Sequence, residues 1–399
     1  MIEAKDFEAT NENKTLRIKG ELKLFPVVKI PLEQLKYNKQ NGRIATWISE
    51  NESENGPLPE NVTEANNTIE KFIVDSNPDA LKKTKNNIEK FDQMEAAVVL
   101  SDGTIVDGNR RFTALRLLSK EGKGQKFNYI KAVVLPNQTY SPKEIKALEL
   151  NLQHAKEERV DYNPIDRLVD IYRDLLSESS AFTPEEYATE VDMPIKDVKK
   201  EMELAQLLVD YLEFIHQPHK YYIARQQNLN GPLREIQRIL KSKKIEEDDA
   251  QDAKELLFST ITTVTGDATR KIRSMANVIT NRELLHNTLD ELDETLNDLD
   301  ESFESEFVKD NAKERHTIEV PVEISGKINN VVEKKIETTR LAGAQKAPLE
   351  ALGKANNFMG NVDVRALKLL ADGSAEDNEE IKILISAIKS KLNEIEETI

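Results

Sequence analysis

One short stretch gathers the residue types that handle phosphate. Asp107-Gly108-Asn109-Arg110-Arg111 sets a carboxylate, a glycine and two guanidiniums in succession, directly before the apolar positions Phe112, Ala114 and Leu115. A glycine lets the backbone approach a ligand, and a helix starting there presents unpaired N–H groups and the positive end of its dipole. Arg110 and Arg111 add fork-shaped donors that match phosphate oxygens. A plainer reading stands beside this one: a surface turn whose arginines pair with nearby carboxylates, Asp107 capping the helix or bonding Arg111.

The elements around the stretch determine whether it can act. Residues 96–107 read as a hairpin, two apolar runs joined by the Asp102-Gly103 pair, and a helix follows from Asn109. Residues 127–135 predict a strand closed by Pro136, and Ser141, Pro142 and Glu144 predict a capped helix start. Upstream, Leu22, Leu24, Val27, Val28 and Ile30 alternate as in a strand, followed by a helical turn over 31–35 and a polar loop over 38–43. Residues 49–64, rich in Asn, Glu, Pro and Ser, read as an exposed insertion. Helical periodicity returns near Ile69, Phe72 and Ile73 and again near Leu81, Ile88 and Phe91. Together these predict an α+β domain over residues 1–155.

From about residue 160 the pattern is helical. Thr183, Pro184 and Glu186 form a helix start with a capping box, and Val191-Asp192-Met193 connects it to a helix over 194–208 with Ile195, Val198, Met202, Ala205 and Leu208 inward. The pair has helix-turn-helix dimensions, shared by many helical hairpins. Between His216 and Lys244 lie Lys220, Arg225, Arg234, Arg238, Lys241, Lys243 and Lys244 against one acid, Glu235. This basic segment reads either as a phosphate-backbone surface or as a solvated helix face. Leu285, Leu289, Leu292, Leu296, Leu299 and Phe303 form a coiled-coil or bundle seam in a segment, Leu284 to Glu306, with nine acids and no Lys or Arg. Its charge opposes a parallel homodimer along that seam and favours an antiparallel or intramolecular partner. Ile381, Ile385, Ile388, Leu392, Ile395 and Ile399 repeat the seam, and residues 317–324 alternate like a strand that Pro321 confines to an edge or loop.

At 399 residues the chain has room for two or three domains, and its net charge of −16 argues against a protein that coats nucleic acid non-specifically. With no cysteine, disulfides and thiolate chemistry are excluded, and five scattered histidines do not form a zinc site. No apolar run has the length of a membrane span, so the expectation is a cytoplasmic protein with no membrane partner.

Three motifs in order resemble the ParB/sulfiredoxin-like superfamily, and ParB-type proteins most. Residues 106–114, centred on Gly108-Asn109-Arg110-Arg111, stand where that family has a Gly-Glu-Arg-Arg box; Leu150-Asn151-Leu152-Gln153-His154 with Asn163-Pro164-Ile165-Asp166 resembles its Glu-Asn-x-Gln-Arg and Asn-Pro-Ile-Glu boxes. Residues 182–188 resemble the first helix of its helix-turn-helix, so the likeness covers about residues 25–215. It departs at Asn109, Leu150 and His154, where the family has glutamate, glutamate and arginine.

The resemblance implies an α+β ParB/sulfiredoxin-like domain over 1–158 followed by a helix-turn-helix; with the charge and periodicity read above, this gives a DNA-binding domain with the basic segment over 159–245 and a helical oligomerisation or partner-binding region over 246–399. It also implies a nucleotide pocket for CTP, or another nucleotide, with magnesium, whose occupancy closes a homodimeric clamp on DNA. Gly108, Asn109, Arg110, Arg111, Asn151 and Gln153 would hold the nucleotide, and Asn151 would place magnesium only when nucleotide is bound. Thr183, Lys196, Lys199 and Lys200 of the helix-turn-helix would face DNA, and the basic segment adds Arg225, Arg234, Arg238 and Lys241. The stretch from Asp107 to Leu115 also resembles a motif of ParB-related nucleases in phage defence, in which Asp107 would be the catalytic or metal-binding carboxylate. Three functions follow as expectations: a nucleotide-responsive DNA-binding protein of the nucleoid or a plasmid, a nuclease or NTP hydrolase on the same fold, and a scaffold that binds a protein partner through the acidic helix at 284–306.

Overall fold

The computed structural model of the chain describes residues 1–154, 163–303, 308–310, 315–317 and 320–398. Its first part alternates strands and helices: β1 (Glu8–Ile18), β2 (Glu21–Pro31), α1 (Ala45–Asn55), α2 (Val62–Ser76), α3 (Pro78–Phe91), β3 (Ala97–Leu100), β4 (Ile105–Asp107), α4 (Asn109–Lys120), β5 (Tyr129–Leu135) and α5 (Pro142–His154). The strands form one sheet in the order β1-β2-β5-β3-β4, with β3 and β5 parallel and the other pairs antiparallel. Successive residues of a strand point to opposite faces, which divides the apolar side chains into two layers. Ala97, Val99, Ile105, Ile130 and Ala132 face α2, α3 and α4, while Val98, Val106, Val133 and Leu135 meet Leu16, Ile18, Val27 and Leu148 on the α5 side.

The predicted hairpin is β3–β4, and its turn needs glycine. Gly103 has φ +85°, and a Cβ there would lie 2.5 Å from the Gln34 carbonyl oxygen. The predicted box at Ser141 also forms: Glu144 N–H donates to the serine oxygen at 3.3 Å and Ser141 N–H to the glutamate at 2.8 Å.

One local expectation is corrected here, and one strand had no counterpart in the sequence reading. Residues 49–64 are not an insertion, since α1 runs through Asn55 and α2 starts at Val62. Only Trp47 and Ile48 of α1 pack on the apolar core, and polar and ionic side chains dock the rest, so no apolar stripe marks it in the sequence. β1 also lies in a segment without alternation; its outer residues are exposed because it is the edge of the sheet.

The later described elements begin with α6 (Pro164–Leu175), α7 (Pro184–Glu190), α8 (Ile195–Phe214), α9 (Tyr221–Gln226), α10 (Asn230–Leu240), α11 (Ala250–Thr263), α12 (Ala268–Ile279) and α13 (Arg282–Ser302). They continue with a two-stranded pair, β6 (Val308–Asp310) and β7 (Arg315–Thr317), then α14 (Val322–Gly360), α15 (Val364–Gly373) and α16 (Ala375–Glu396). α7 starts at the expected capping box, Thr183 accepting from Glu186 N–H at 3.2 Å. α8 runs to Phe214 rather than Leu208, and Ile195 at its start is exposed rather than inward. Helix α14 begins at Val322, so the alternation over 320–324 is not a strand.

The described chain divides into two units, Met1–Glu333 and Lys334–Ile399. In the first, α13 buries Leu285, Thr288, Leu292, Thr295 and Leu299 and packs on α11 and α12, so its seam is covered from within the chain. Leu289 and Leu296 lie at the margin of that seam, half-buried. In the second, α15 and α16 bury no side chain, and Leu369, Leu370, Ile385, Ile388 and Leu392 are exposed. Ile399 lies outside the described residues. No described helix is long and apolar enough to cross a membrane.

Candidate functional site

The junction of β4 and α4 is set by Gly108. Its φ of +111° is left-handed, and a Cβ would meet the Ala97 Cβ at 2.8 Å and an Arg111 nitrogen at 3.1 Å. Only glycine permits this turn at low cost. It aims the N-terminus of α4 into a cleft of about 710 Å³ within the first unit, whose walls include Arg43, Trp47, Asp107–Arg111, Leu150, Gln153, Asp166, Tyr187 and Arg234. Behind the opening, Phe112 is wholly buried edge-on to Tyr37 at 4.8 Å between ring centroids, and the Tyr37 hydroxyl meets Thr113 Oγ1 at 2.7 Å. These contacts fix the first turn of α4 and the side chains it carries.

The two arginines have different fates. Arg111 Nη2 donates to Asp107 at 2.7 Å and Nη1 to Glu95 at 2.8 Å, and Lys14 reaches Glu95 at 3.2 Å and the Ala96 carbonyl at 2.6 Å. Burial holds the Lys14 ammonium below its ordinary range. Asp107 is thus joined to Arg111, the plainer of the two readings, and sits in a ladder of opposite charges. Arg110 lines the same cleft, and among the described residues no side chain pairs with it. Burial first, then repulsion from Arg43 and Arg111, pull its guanidinium down to about 10. An unpaired, partly desolvated cation of this kind favours an anionic ligand.

Other cleft atoms are also unsatisfied. Asn109 Oδ1, Arg111 Nε and Asp166 Oδ2 are buried without a hydrogen-bond partner. Asp166 is completely buried and accepts from the Thr46 N–H at 2.8 Å, and burial pushes its carboxyl up to about 7. Gln153 lines the cleft and donates to the buried Glu149 at 3.2 Å; burial raises the Glu149 carboxyl above its usual range. Asn151 is elsewhere: its amide donates to the Ala147 carbonyl at 2.9 Å and to Glu190 on α7, and it does not line the cleft. His154 side-chain placement lies outside the described residues.

The residues expected to face DNA separate into two groups. Lys196, Lys199 and Lys200 are exposed on α8, and Thr183 spends its hydroxyl on the α7 cap. The basic segment is largely neutralised: Arg234 grips Glu201 of α8 with two hydrogen bonds, Lys241 pairs with Glu203 of α8, and Arg238 pairs at 2.8 Å with Glu235 of its own helix. Arg225 and Arg234 line the cleft. Arg225 reaches α1, where it bonds Thr46 and Glu50 and stacks 3.8 Å from the Trp47 ring centroid. Sequence reasoning did not place Trp47, Arg225 or Arg234 at the cleft; that Trp47 is the chain's single tryptophan was the one available signal.

Among the described residues no three His, Asp or Glu side chains are grouped to hold a metal ion. No protein-family model matches the sequence, and no curated protein is similar to it. A search of solved structures finds similarity to a Pnob8-like ParB-N domain, with a TM-score of 0.36 and 13% identity over 72% of this chain and 99% of that one.

Proposed function

We propose that the protein is a nucleotide-responsive, ParB-like DNA-binding protein whose cleft takes a nucleoside triphosphate, with CTP the first choice. The observation that carries this reading is Arg110: a cation drawn partly out of water at the start of a helix, beside Arg43 and Arg111, with no side-chain partner among the described residues. Phosphate would satisfy the guanidinium, and the α4 dipole adds to the attraction. The cleft is also large enough for a nucleotide.

The residues fit the nucleotide better than its metal. Asn151 is bound to α5 and α7, and no carboxylate cluster replaces it among the described residues. Magnesium is therefore left to the ligand's own phosphates, and no step is assigned to it. The Asp107–Arg111 pair gives no support to a nuclease. DNA contact is assigned to the exposed Lys196, Lys199 and Lys200 rather than to the ion-paired basic segment, and self-association to the exposed apolar side chains of α15 and α16. A protein partner for α13 would meet its acidic outer face, since its apolar seam is already covered.

Thermal denaturation against a panel of nucleoside mono-, di- and triphosphates with magnesium tests the reading. A ligand at 100 times its Kd stabilises the folded state by about 2.7 kcal/mol. The expected result is a rise in Tm for wild type that Arg110→Ala abolishes. A wild-type Tm indifferent to every nucleotide overturns it.

A further inference from the structure

Helix α1 packs on α6 and α9, both of which also reach the cleft. Its first turn lines the cleft through Trp47, and its length is tied to residues 219–226. Ser49 Oγ donates to the His219 carbonyl at 2.8 Å, Gln226 donates to Glu50 at 2.7 Å, and Ser53 meets the Tyr222 hydroxyl at 3.3 Å. One chain of polar atoms runs through its start. Arg225 Nη1 donates to Thr46 Oγ1 at 3.0 Å, and the Thr46 backbone N–H donates to Asp166 at 2.8 Å. Thr46 and Asp166 are wholly buried, and the second carboxylate oxygen of Asp166 has no partner. Thr46 thus holds α6 through its backbone and α9 through its hydroxyl, and the low dielectric of the buried site strengthens both bonds.

We propose that Thr46 is a positioning residue that relays the state of Asp166, in the cleft wall on α6, to Arg225 on α9. On this arrangement, whatever occupies the cleft sets how firmly α1 holds α9. The inference rests on the cleft being a ligand site, but the relay itself is a property of the unliganded chain. The charges around it are Arg225 from α9, Glu50 from α1, Asp170 on the same helix as Asp166, and Arg43 and Arg110 along the cleft. Altering Asp166 weakens the hold on Thr46, and Arg225 then loses the oriented acceptor that keeps it over Trp47. Asp166 also attracts Arg225 directly by charge, and α6 packs on α9, so the Thr46→Val background is what separates the relay from a direct effect.

Hydrogen exchange on the full chain, read at residues 221–226, tests the relay by a double-mutant comparison. Asp166→Asn is expected to speed exchange of α9 roughly tenfold, the effect of losing one charge-assisted bond. In a Thr46→Val background the same substitution should add nothing, whereas in Thr46→Ser, which keeps the hydroxyl, the effect should persist. Unchanged protection of β3 and β5 verifies that each variant is folded. The relay is overturned if Asp166→Asn leaves α9 unaltered, or alters it equally in the valine background. A second arm adds CTP with magnesium: wild-type α9 should respond, and Thr46→Val should bind nucleotide without that response. Absence of nucleotide binding with an intact mutational effect refutes the proposed ligand and leaves the relay standing. Binding with an α9 response as large in Thr46→Val as in wild type refutes the relay instead.

Discussion

An Arg110→Met variant keeps most of the aliphatic stem and removes one cation from a cleft where, among the described residues, nothing pairs with it. The folded state holds the guanidinium near 10, against its usual value of 12.5, because burial and two neighbouring arginines oppose the charge. A depression of that size corresponds to ~3 kcal/mol against the charged form. Solvent at the open side of the cleft screens the arginine, which leaves about 1–2 kcal/mol in practice. Since arginine is charged in both states at neutral pH, the folded state alone bears this cost. The variant is therefore expected to be more stable than wild type by that amount when no ligand is present, and to lose the response to nucleotide. Urea denaturation at low ionic strength, fitted with a common m-value, measures the first part, and the same titration with nucleotide measures the second. A variant less stable than wild type by a kilocalorie or more, or one that still responds to nucleotide, would refute the reasoning.

Three further outcomes follow from the same geometry. Gly108→Ala forces a left-handed residue and a 2.8 Å contact with the buried Ala97, and is expected to destabilise by about 2–4 kcal/mol in urea denaturation, part of it recovered by a second change, Ala97→Gly. Asp166 has a raised folded pKa, about 7 against 3.8, so its contribution is full below about pH 4 and is lost as pH rises through 7. Relative to Asp166→Asn, wild type should lose up to about 4 kcal/mol between pH 4 and 8, and parallel stability profiles would contradict this. Reversing Lys196, Lys199 and Lys200 to glutamate should weaken DNA binding and lower the salt slope by roughly 3, measured by fluorescence anisotropy across salt concentrations.

Local chemistry was legible in the sequence, and long-range pairing was not. The β3–β4 hairpin, the start of α4 and the capping boxes at Ser141 and Thr183 depend on residues within three or four positions, and each forms as its spacing indicates. Asp107 and Arg111 are likewise one helical turn apart, and their pairing was among the readings the spacing allowed. The second partner of Arg111, Glu95, is sixteen residues away across the turn and carries no such signal. Arg225 illustrates the same limit: it lies in a basic run, but its partners Thr46 and Glu50 are some 175 positions upstream. A run of cations reads as a free surface only until the fold brings acids to it. Helix α1 and strand β1 escaped notice because polar contacts hold the one and solvent faces the other, which leaves neither with the apolar periodicity that marks buried elements.

The central claim is that the cleft binds a ligand through its phosphates, and isothermal titration calorimetry with cytidine, CMP, CDP and CTP in magnesium buffer tests it most directly. The expected result is no measurable binding of cytidine, affinity that rises with each added phosphate, and loss of that gradient in Arg110→Met. Equal affinity for all four compounds, or none for any at millimolar concentration, would contradict it.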